Sequence, residues 1–436
     1  MASFDFFAPC PRGLEEALAA ELAELGRLAP LSVGKQVPGG VHFAGPWAAG
    51  IAANLHSRIA SRVLLRVASQ GYRSEQDIYD FAVTQRWEEW FSYQQTLRID
   101  VTAIKAPVRS LEFVTLRIKD AVCDRLREKT GARPNIDTAQ PDVRVFAFLT
   151  ATDATLYLDT SGEALFKRGW RLDKGAAPLR ENLAAGILRI AGWRADTAAN
   201  LSLYDPMCGS GTFLAEAAQI ALAVPPGANR RFGFEKLKGY DITAWQSLKV
   251  AAMDAQRDAR ARGVPDTIFG SDISGDMLVK ARANLERAGV GDVGLKQVDA
   301  RDMTPPCEGA GIIVTNPPYG ERIEVRGRRP SRAAEDEDYD DGGRGQFSRA
   351  RPDTLDADFY RAFGDTLKQR FTGWSAYLLT TDMSLPGQLR LRESRRTPLF
   401  NGALECRLFR FDLIAGAVRK RNGDSATGDA APESGE

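Results

Sequence analysis

The sequence predicts an α/β protein, with a parallel, doubly wound sheet closed by a terminal antiparallel hairpin and preceded by a smaller α+β module. Three observations predict it. Apolar strand signals at 201–205, 267–272, 293–298 and 312–315 are separated by helical stretches, the alternation a parallel sheet needs. Three acids, Asp205, Asp272 and Asp299, close or follow the first three of these strands. Near the end, Asn401-Gly402 supplies a hairpin turn between the strand-like segments 395–400 and 403–411.

Composition narrows the function classes. The chain has 436 residues, 44% hydrophobic and 26% charged, enough for two or three globular domains. No apolar run approaches the roughly 18 residues of a membrane span, and residues 1–5 carry no basic leader, so the cytoplasm is the expected compartment. Cys10, Cys123, Cys208, Cys307 and Cys406 form no Cys-x-x-Cys pair, which argues against a zinc site or a disulfide framework; no metal is expected. The only histidines, His42 and His56, lie early in the chain and suit packing or surface roles. A net charge of +1 gives no global signal for nucleic acid, so any such surface must be a local patch.

Residues 1 to about 165 alternate helix and strand signals. Apolar residues recur at helical spacing over 13–22; a turn and strand follow at 39–43, a helix at 46–59 and a strand at 62–67. Then come a strand at 96–101, a helix around 116–123, and strands at 142–148 and 154–159. This is a small α+β module, not a continuation of the sheet downstream. Arg109, Arg117, Lys119, Arg125 and Arg127 surround its helix and would suit phosphates, although a solvated helix face explains the pattern better. Residues 169–178 read as a connector, and helical periodicity resumes at 179–188.

The strand at 201–205 runs into Pro206-Met207-Cys208-Gly209-Ser210-Gly211-Thr212 and a helix. Glycines at 209 and 211 permit a tight turn and close approach to a ligand at the helix amino terminus. A dinucleotide site would want a third glycine and an acid about twenty residues on. Here the next strand arrives much later, beyond an insertion rich in Arg and aromatic residues. Asp272 still ends that strand, where a carboxylate can take both hydroxyls of a ribose. With Asp205 and Asp299 at neighbouring strand ends, one crevice lined by acids and a glycine loop points to a nucleoside-bearing cofactor.

The strand at 312–315 stops in Asn316-Pro317-Pro318-Tyr319, because neither proline can donate to a sheet ladder. By itself this is an ordinary Pro-rich turn. Beside a nucleoside site it fits a planar base with an exocyclic amine: the Asn316 amide oxygen and the Pro317 carbonyl accept one hydrogen each, and Tyr319 offers a stacking face. Residues 324–353, crowded with Arg, Asp, Glu and Gly, read as a mobile insertion. A helix at 357–370, a strand at 374–381, the hairpin and a polar tail complete the chain.

With these segments placed, the chain resembles the THUMP-domain class I S-adenosyl-L-methionine-dependent RNA methyltransferases, specifically the guanine-N2 methyltransferases of bacterial 23S ribosomal RNA. The resemblance runs from about residue 4 to 413. It rests on Arg12-Gly13-Leu14-Glu15, Gly39-Gly40-Val41-His42-Phe43, Ser57-Arg58-Ile59-Ala60-Ser61-Arg62, Arg133-Pro134-Asn135, Asp159-Thr160-Ser161-Gly162 and Ala177-Pro178-Leu179. The glycine loop from Asp205 to Thr212 and Asn316-Pro317-Pro318-Tyr319-Gly320-Glu321-Arg322 complete the set.

The resemblance implies a ferredoxin-like piece at 1–55, a THUMP RNA-binding domain at 56–165, a Rossmann-like methyltransferase domain at 166–415 and a tail at 416–436. It implies S-adenosyl-L-methionine as cofactor and 23S rRNA or a pre-ribosomal particle as partner. Asp205, Pro206, Met207, Cys208, Gly209, Ser210, Gly211 and Thr212 would form the loop around its methionine portion. Asp272 would hold the ribose, Asp299 and Ala300 would meet the adenine, and Asn316, Pro317 and Tyr319 would position the target guanine. Some relatives fuse a second domain that methylates guanine N7; this chain ends before one, so that activity is expected to be absent. The alternatives are a tRNA guanine-N2 or DNA adenine-N6 methyltransferase, and an RNA-binding assembly factor without catalysis.

Overall fold

The computed structural model of the chain describes residues 2–172, 179–317 and 357–414. The N-terminal half runs β1 (Phe4–Pro9), α1 (Glu15–Leu25), β2 (Ser32–Val37), β3 (Gly40–Gly45), α2 (Trp47–His56), β4 (Leu64–Gly71) and α3 (Glu75–Val83). It continues through β5 (Leu97–Ala103), α4 (Leu111–Thr130), β6 (Val143–Leu149) and β7 (Asp153–Asp159). All seven strands form one sheet, in the order β2-β3-β1-β4-β7-β6-β5. Strand β4 pairs with β1 on one side and β7 on the other, so it stitches two small α+β units into one surface.

Two helices differ from their sequence pattern for local reasons. The pattern at 46–59 overruns: α2 ends at His56 because Ser57 turns extended, its hydroxyl donating to Glu21 Oε2 at 2.6 Å and the Arg58 amide to Glu21 Oε1 at 2.9 Å. The pattern at 116–123 falls short: α4 begins where the Ser110 hydroxyl accepts from the Phe113 amide, and ends at Gly131 with φ 83°.

The second half contains α5 (Glu181–Ile190), β8 (Ser202–Asp205), α6 (Thr212–Ala221), α7 (Ile242–Arg262), β9 (Ile268–Asp272), α8 (Gly275–Arg287), β10 (Gly294–Gln297) and β11 (Gly311–Thr315). Beyond residue 357 come α9 (Ala357–Arg370), β12 (Ser375–Thr380), α10 (Leu385–Leu389), β13 (Arg395–Asn401) and β14 (Leu404–Asp412). A second, separate seven-stranded sheet has the order β10-β9-β8-β11-β12-β14-β13. The first five strands in that order pair in parallel, and β14 and β13 close it antiparallel through the expected turn, with Gly402 at φ 66°.

Helix α6 packs into the core on one face of this sheet, with Phe213 and Leu214, whereas α9 covers the other with Phe363 and Leu367. The first of these cores continues into the N-terminal half through Leu14, Leu18 and Leu22. Gly186 of α5 permits the contact, because a Cβ there would sit 2.4 Å from Leu14 Cδ1. Burying a leucine such as Leu14 contributes roughly 1.5–3 kcal/mol. The proposed 324–353 insertion lies outside the described residues.

Candidate active site

Helix α6, which follows β8, packs on one face of the sheet, and α9, the next described helix after β11, packs on the other, although the two strands are parallel neighbours. That reversal opens a crevice at their carboxyl ends, where open α/β sheets hold ligands. Asp205 ends β8, Asp272 ends β9, Asp299 follows β10 and Asn316 follows β11. Four parallel strands thus deliver these expected residues to one sheet edge.

The glycine loop is held tightly. The Gly209 amide donates to Asp272 Oδ2 at 2.9 Å, and the Cys208 amide to the Ser271 carbonyl at 2.9 Å. Gly209 and Gly211 take φ values of 52° and 81°, which cost glycine little. Gly211 is the amino-terminal cap of α6 and brings no side chain, so it caps none of the first-turn amides. Those amides and the helix dipole suit a carboxylate. Thr212 and Cys208 are buried, and burial pushes the Cys208 thiol well above its ordinary range. Pro206 turns its carbonyl toward the Ser271 hydroxyl at 3.4 Å.

Burial also governs Asp205. Its carboxyl is pushed up to about 7 by loss of water, with the Asp272 charge adding to the effect and the Met207 amide, 3.2 Å from Oδ1, opposing it. Asp272 is half-buried and accepts from the loop with one oxygen and from the Ser274 amide with the other, at 2.9 Å. Each oxygen keeps a lone pair for a hydroxyl donor.

Asp299 is gripped in a fork by Arg301, through Nε at 3.0 Å and Nη2 at 2.7 Å, and that hydrogen bonding holds its carboxyl below the ordinary value. Ala300 beside it is buried. Asn316 is half-buried, yet its Oδ1 is fully enclosed and has no hydrogen-bond partner among the described residues. A buried amide oxygen left without a donor costs about 1–3 kcal/mol. Pro317 is buried beside it; Tyr319 lies outside the described residues.

An S-adenosyl-type cofactor would fit these groups: the first-turn amides of α6 would take its carboxylate and Asp272 its ribose, with Asn316 Oδ1, which has no partner among the described residues, on the same sheet edge. Among the described residues no cluster of three His, Cys, Asp or Glu side chains suits a metal ion, and no helix is long and apolar enough to cross a membrane.

Other residues that the sequence brought forward have structural partners. Arg125 is held by Glu88 through two bonds, and Arg117 lies 4.4 Å over the Tyr79 ring, so these cations are committed within the protein. His42 packs on Phe7 and His56 is half-buried at the end of α2, both in the N-terminal half and not beside β11. The aromatic insertion after α6 stays away from the glycine loop. Phe232 and Phe234 stack against each other and meet Trp245 edge-on, while the Phe234 amide bonds the Thr160 carbonyl and that of Gly227 the Leu55 carbonyl. The insertion is a strap onto the N-terminal half.

The Ser57–Arg62 segment is a joint. Arg58 Nη1 meets Glu216 at 3.0 Å, Arg62 Nη1 meets Asp159 at 2.5 Å, and Asn182 Nδ2 reaches the Ser61 hydroxyl at 3.1 Å. Its partners are distant in sequence, so no local pattern marks them.

Comparison with known proteins assigns each region. Residues 5–64 match the RlmL ferredoxin-like domain, 72–159 the THUMP domain and 168–330 the RMKL-like methyltransferase domain. A ribosomal RNA large subunit methyltransferase K/L of Aeromonas hydrophila is 37% identical, over 95% of this chain and 55% of the relative. The protein of the same name from Psychromonas ingrahamii is 38% identical, over 92% of this chain and 49% of the relative. The chain thus spans about half the length of these curated relatives. Among solved structures, a putative methyltransferase complexed with SAH superimposes with a TM-score of 0.77 at 26% identity, covering 96% of this chain and 100% of that one. A predicted N6-adenine-specific DNA methylase from Listeria monocytogenes gives 0.75 at 27% identity, covering 94% and 96%.

Proposed function

The chain carries an RlmL-type ferredoxin-like domain, a THUMP domain and an RMKL-like methyltransferase domain, and from that premise we propose that it methylates the exocyclic N2 amine of a guanosine in 23S ribosomal RNA, using S-adenosyl-L-methionine. The observation that carries the chemistry is Asn316 Oδ1, enclosed and without a hydrogen-bond partner among the described residues, on the same sheet edge as the glycine loop. The RNA assignment is supported by the curated relatives, whose name specifies ribosomal RNA of the large subunit. The reaction belongs to the cytoplasm, where ribosomal RNA is made.

S-adenosyl-L-methionine supplies an already activated sulfonium methyl. The residues of this chain supply alignment. The open amides of α6 and the Asp272 carboxylate fix the donor, and Asp299 meets the adenine edge. A base turned out of its helix presents its amine to Asn316 Oδ1 and the Pro317 carbonyl. Two acceptors on one amine favour a pyramidal nitrogen and return its lone pair toward the methyl. Those bonds strengthen as charge develops on nitrogen, so they raise turnover more than affinity. Holding donor and amine in line supplies the rest; neither acceptor is a base, so the proton that the amine loses as the methyl arrives passes to water.

Adenine N6 in DNA is the second reading, favoured by the Listeria relative's description and by an acceptor pair that fits any base amine. Incubation with methyl-labelled cofactor and separated 23S rRNA, tRNA and DNA tests both. Label in 23S rRNA is expected. Label confined to tRNA or DNA would replace the substrate, and no turnover on any would favour an assembly factor.

A further inference from the structure

We propose that Asn284 is a positioning residue for the cofactor loop, and that Arg287 ties it to the connector between the two halves of the chain. The inference rests on the reading of 206–212 as that loop. Asn284 is fully buried on α8. Its Nδ2 donates to the Ser210 carbonyl at 3.0 Å, and its Oδ1 accepts from Arg287 Nη2. Arg287 Nε in turn donates to the Trp170 carbonyl at 3.0 Å. The next residue, Arg171, meets Glu181 of α5 at 3.2 Å. Two side chains therefore link the connector to the loop.

Ser210 sits between two glycines in left-handed backbone, the segment with the most conformational freedom to lose. Helix α8 restrains it twice. Ala281 Cβ lies 3.2 Å from the position a Cβ would take on Gly211, and Asn284, three residues further along the same helix face, bonds the carbonyl before it. The residue type follows from the two neighbours. A neutral amide presents a donor to the carbonyl and an acceptor to the guanidinium; a carboxylate serves only the second and an aliphatic side chain neither. Both polar atoms of the Asn284 amide are engaged in these bonds, so it acts through Ser210.

A loop less often in its binding conformation lowers apparent affinity in proportion to the lost population. Turnover at saturating cofactor depends on the bound geometry and is retained. Calorimetric titration with S-adenosylhomocysteine should therefore give a Kd about tenfold higher for Asn284→Asp and Asn284→Ser, the equivalent of one neutral hydrogen bond. The KM for S-adenosyl-L-methionine should rise by a similar factor, with kcat within about twofold and RNA affinity unchanged. Arg287→Met should give a smaller shift in the same direction. Wild-type affinity in folded Asn284 variants would overturn the proposal. So would variants that lose the folded state, since Asn284 would then be a structural residue. A wild-type protein that fails to bind S-adenosylhomocysteine would instead remove the cofactor reading itself.

Discussion

Glu216, one turn into the helix that follows the glycine loop, is fully buried and holds Arg58 at 3.0 Å and Arg168 at 3.1 Å. Arg58 comes from the joint between α2 and β4, Arg168 from the approach to the connector. One carboxylate thus fastens the N-terminal half to the helix that follows the glycine loop. The Arg168 guanidinium also reaches the Arg58 carbonyl at 2.7 Å, which closes the contact into a network.

Removing that charge strands two guanidiniums out of water. Glu216→Gln should lower stability by about 3–5 kcal/mol, the usual result of breaking a buried ion pair from one side. Urea denaturation measures it; a loss below about 1 kcal/mol would mean that water reaches the cluster.

The raised Asp205 carboxyl predicts a pH dependence. Its folded value, about 7, lies above the ordinary 3.8, so the folded protein holds the proton more tightly. This contribution to stability is fully present below the unfolded value and is lost as pH rises through about 7. The cofactor-free protein should therefore lose on the order of a few kcal/mol between pH 5 and 8 that Asp205→Asn does not lose. Denaturation of both at the two pH values checks it, and parallel curves would contradict it.

Asp272 braces the Gly209 amide and, in the proposed function, also meets the ribose. Asp272→Ala should weaken S-adenosylhomocysteine binding by more than about tenfold, since charge-assisted bonds contribute roughly 1.5–3 kcal/mol each. Calorimetry reads this directly. Unchanged affinity would remove Asp272 from the ribose site.

Much of the catalytic half was legible because its signals are local. Helix α9 spans the residues its periodicity indicates, β11 stops where proline ends the ladder, and the hairpin turns at Asn401-Gly402. Acids at successive strand ends share an edge because parallel strands leave them no other arrangement. The joint was not legible. Arg58 and Glu216 are 158 residues apart, and Arg62 and Asp159 are 97 apart, so only the packed fold pairs them. The fork between Asp299 and Arg301 is two residues long and was available to the eye, but a carboxylate at a strand end reads as a ligand before it reads as an ion pair. Helix α7, with few buried side chains, carries a weak apolar stripe, and its insertion gave no sign that its aromatic cluster would strap the N-terminal half.

The most direct test concerns the elbow at the end of β11. Wild-type protein and Asn316→Ala, incubated with methyl-labelled S-adenosyl-L-methionine and 23S rRNA from cells lacking this protein, are compared by digestion to nucleosides and mass spectrometry. The wild type should yield N2-methylguanosine, and the variant should lose at least about a hundredfold in rate, on the scale of a removed transition-state acceptor, while still binding S-adenosylhomocysteine. Label in another nucleoside, or near-normal N2-methylguanosine from Asn316→Ala, would contradict the account.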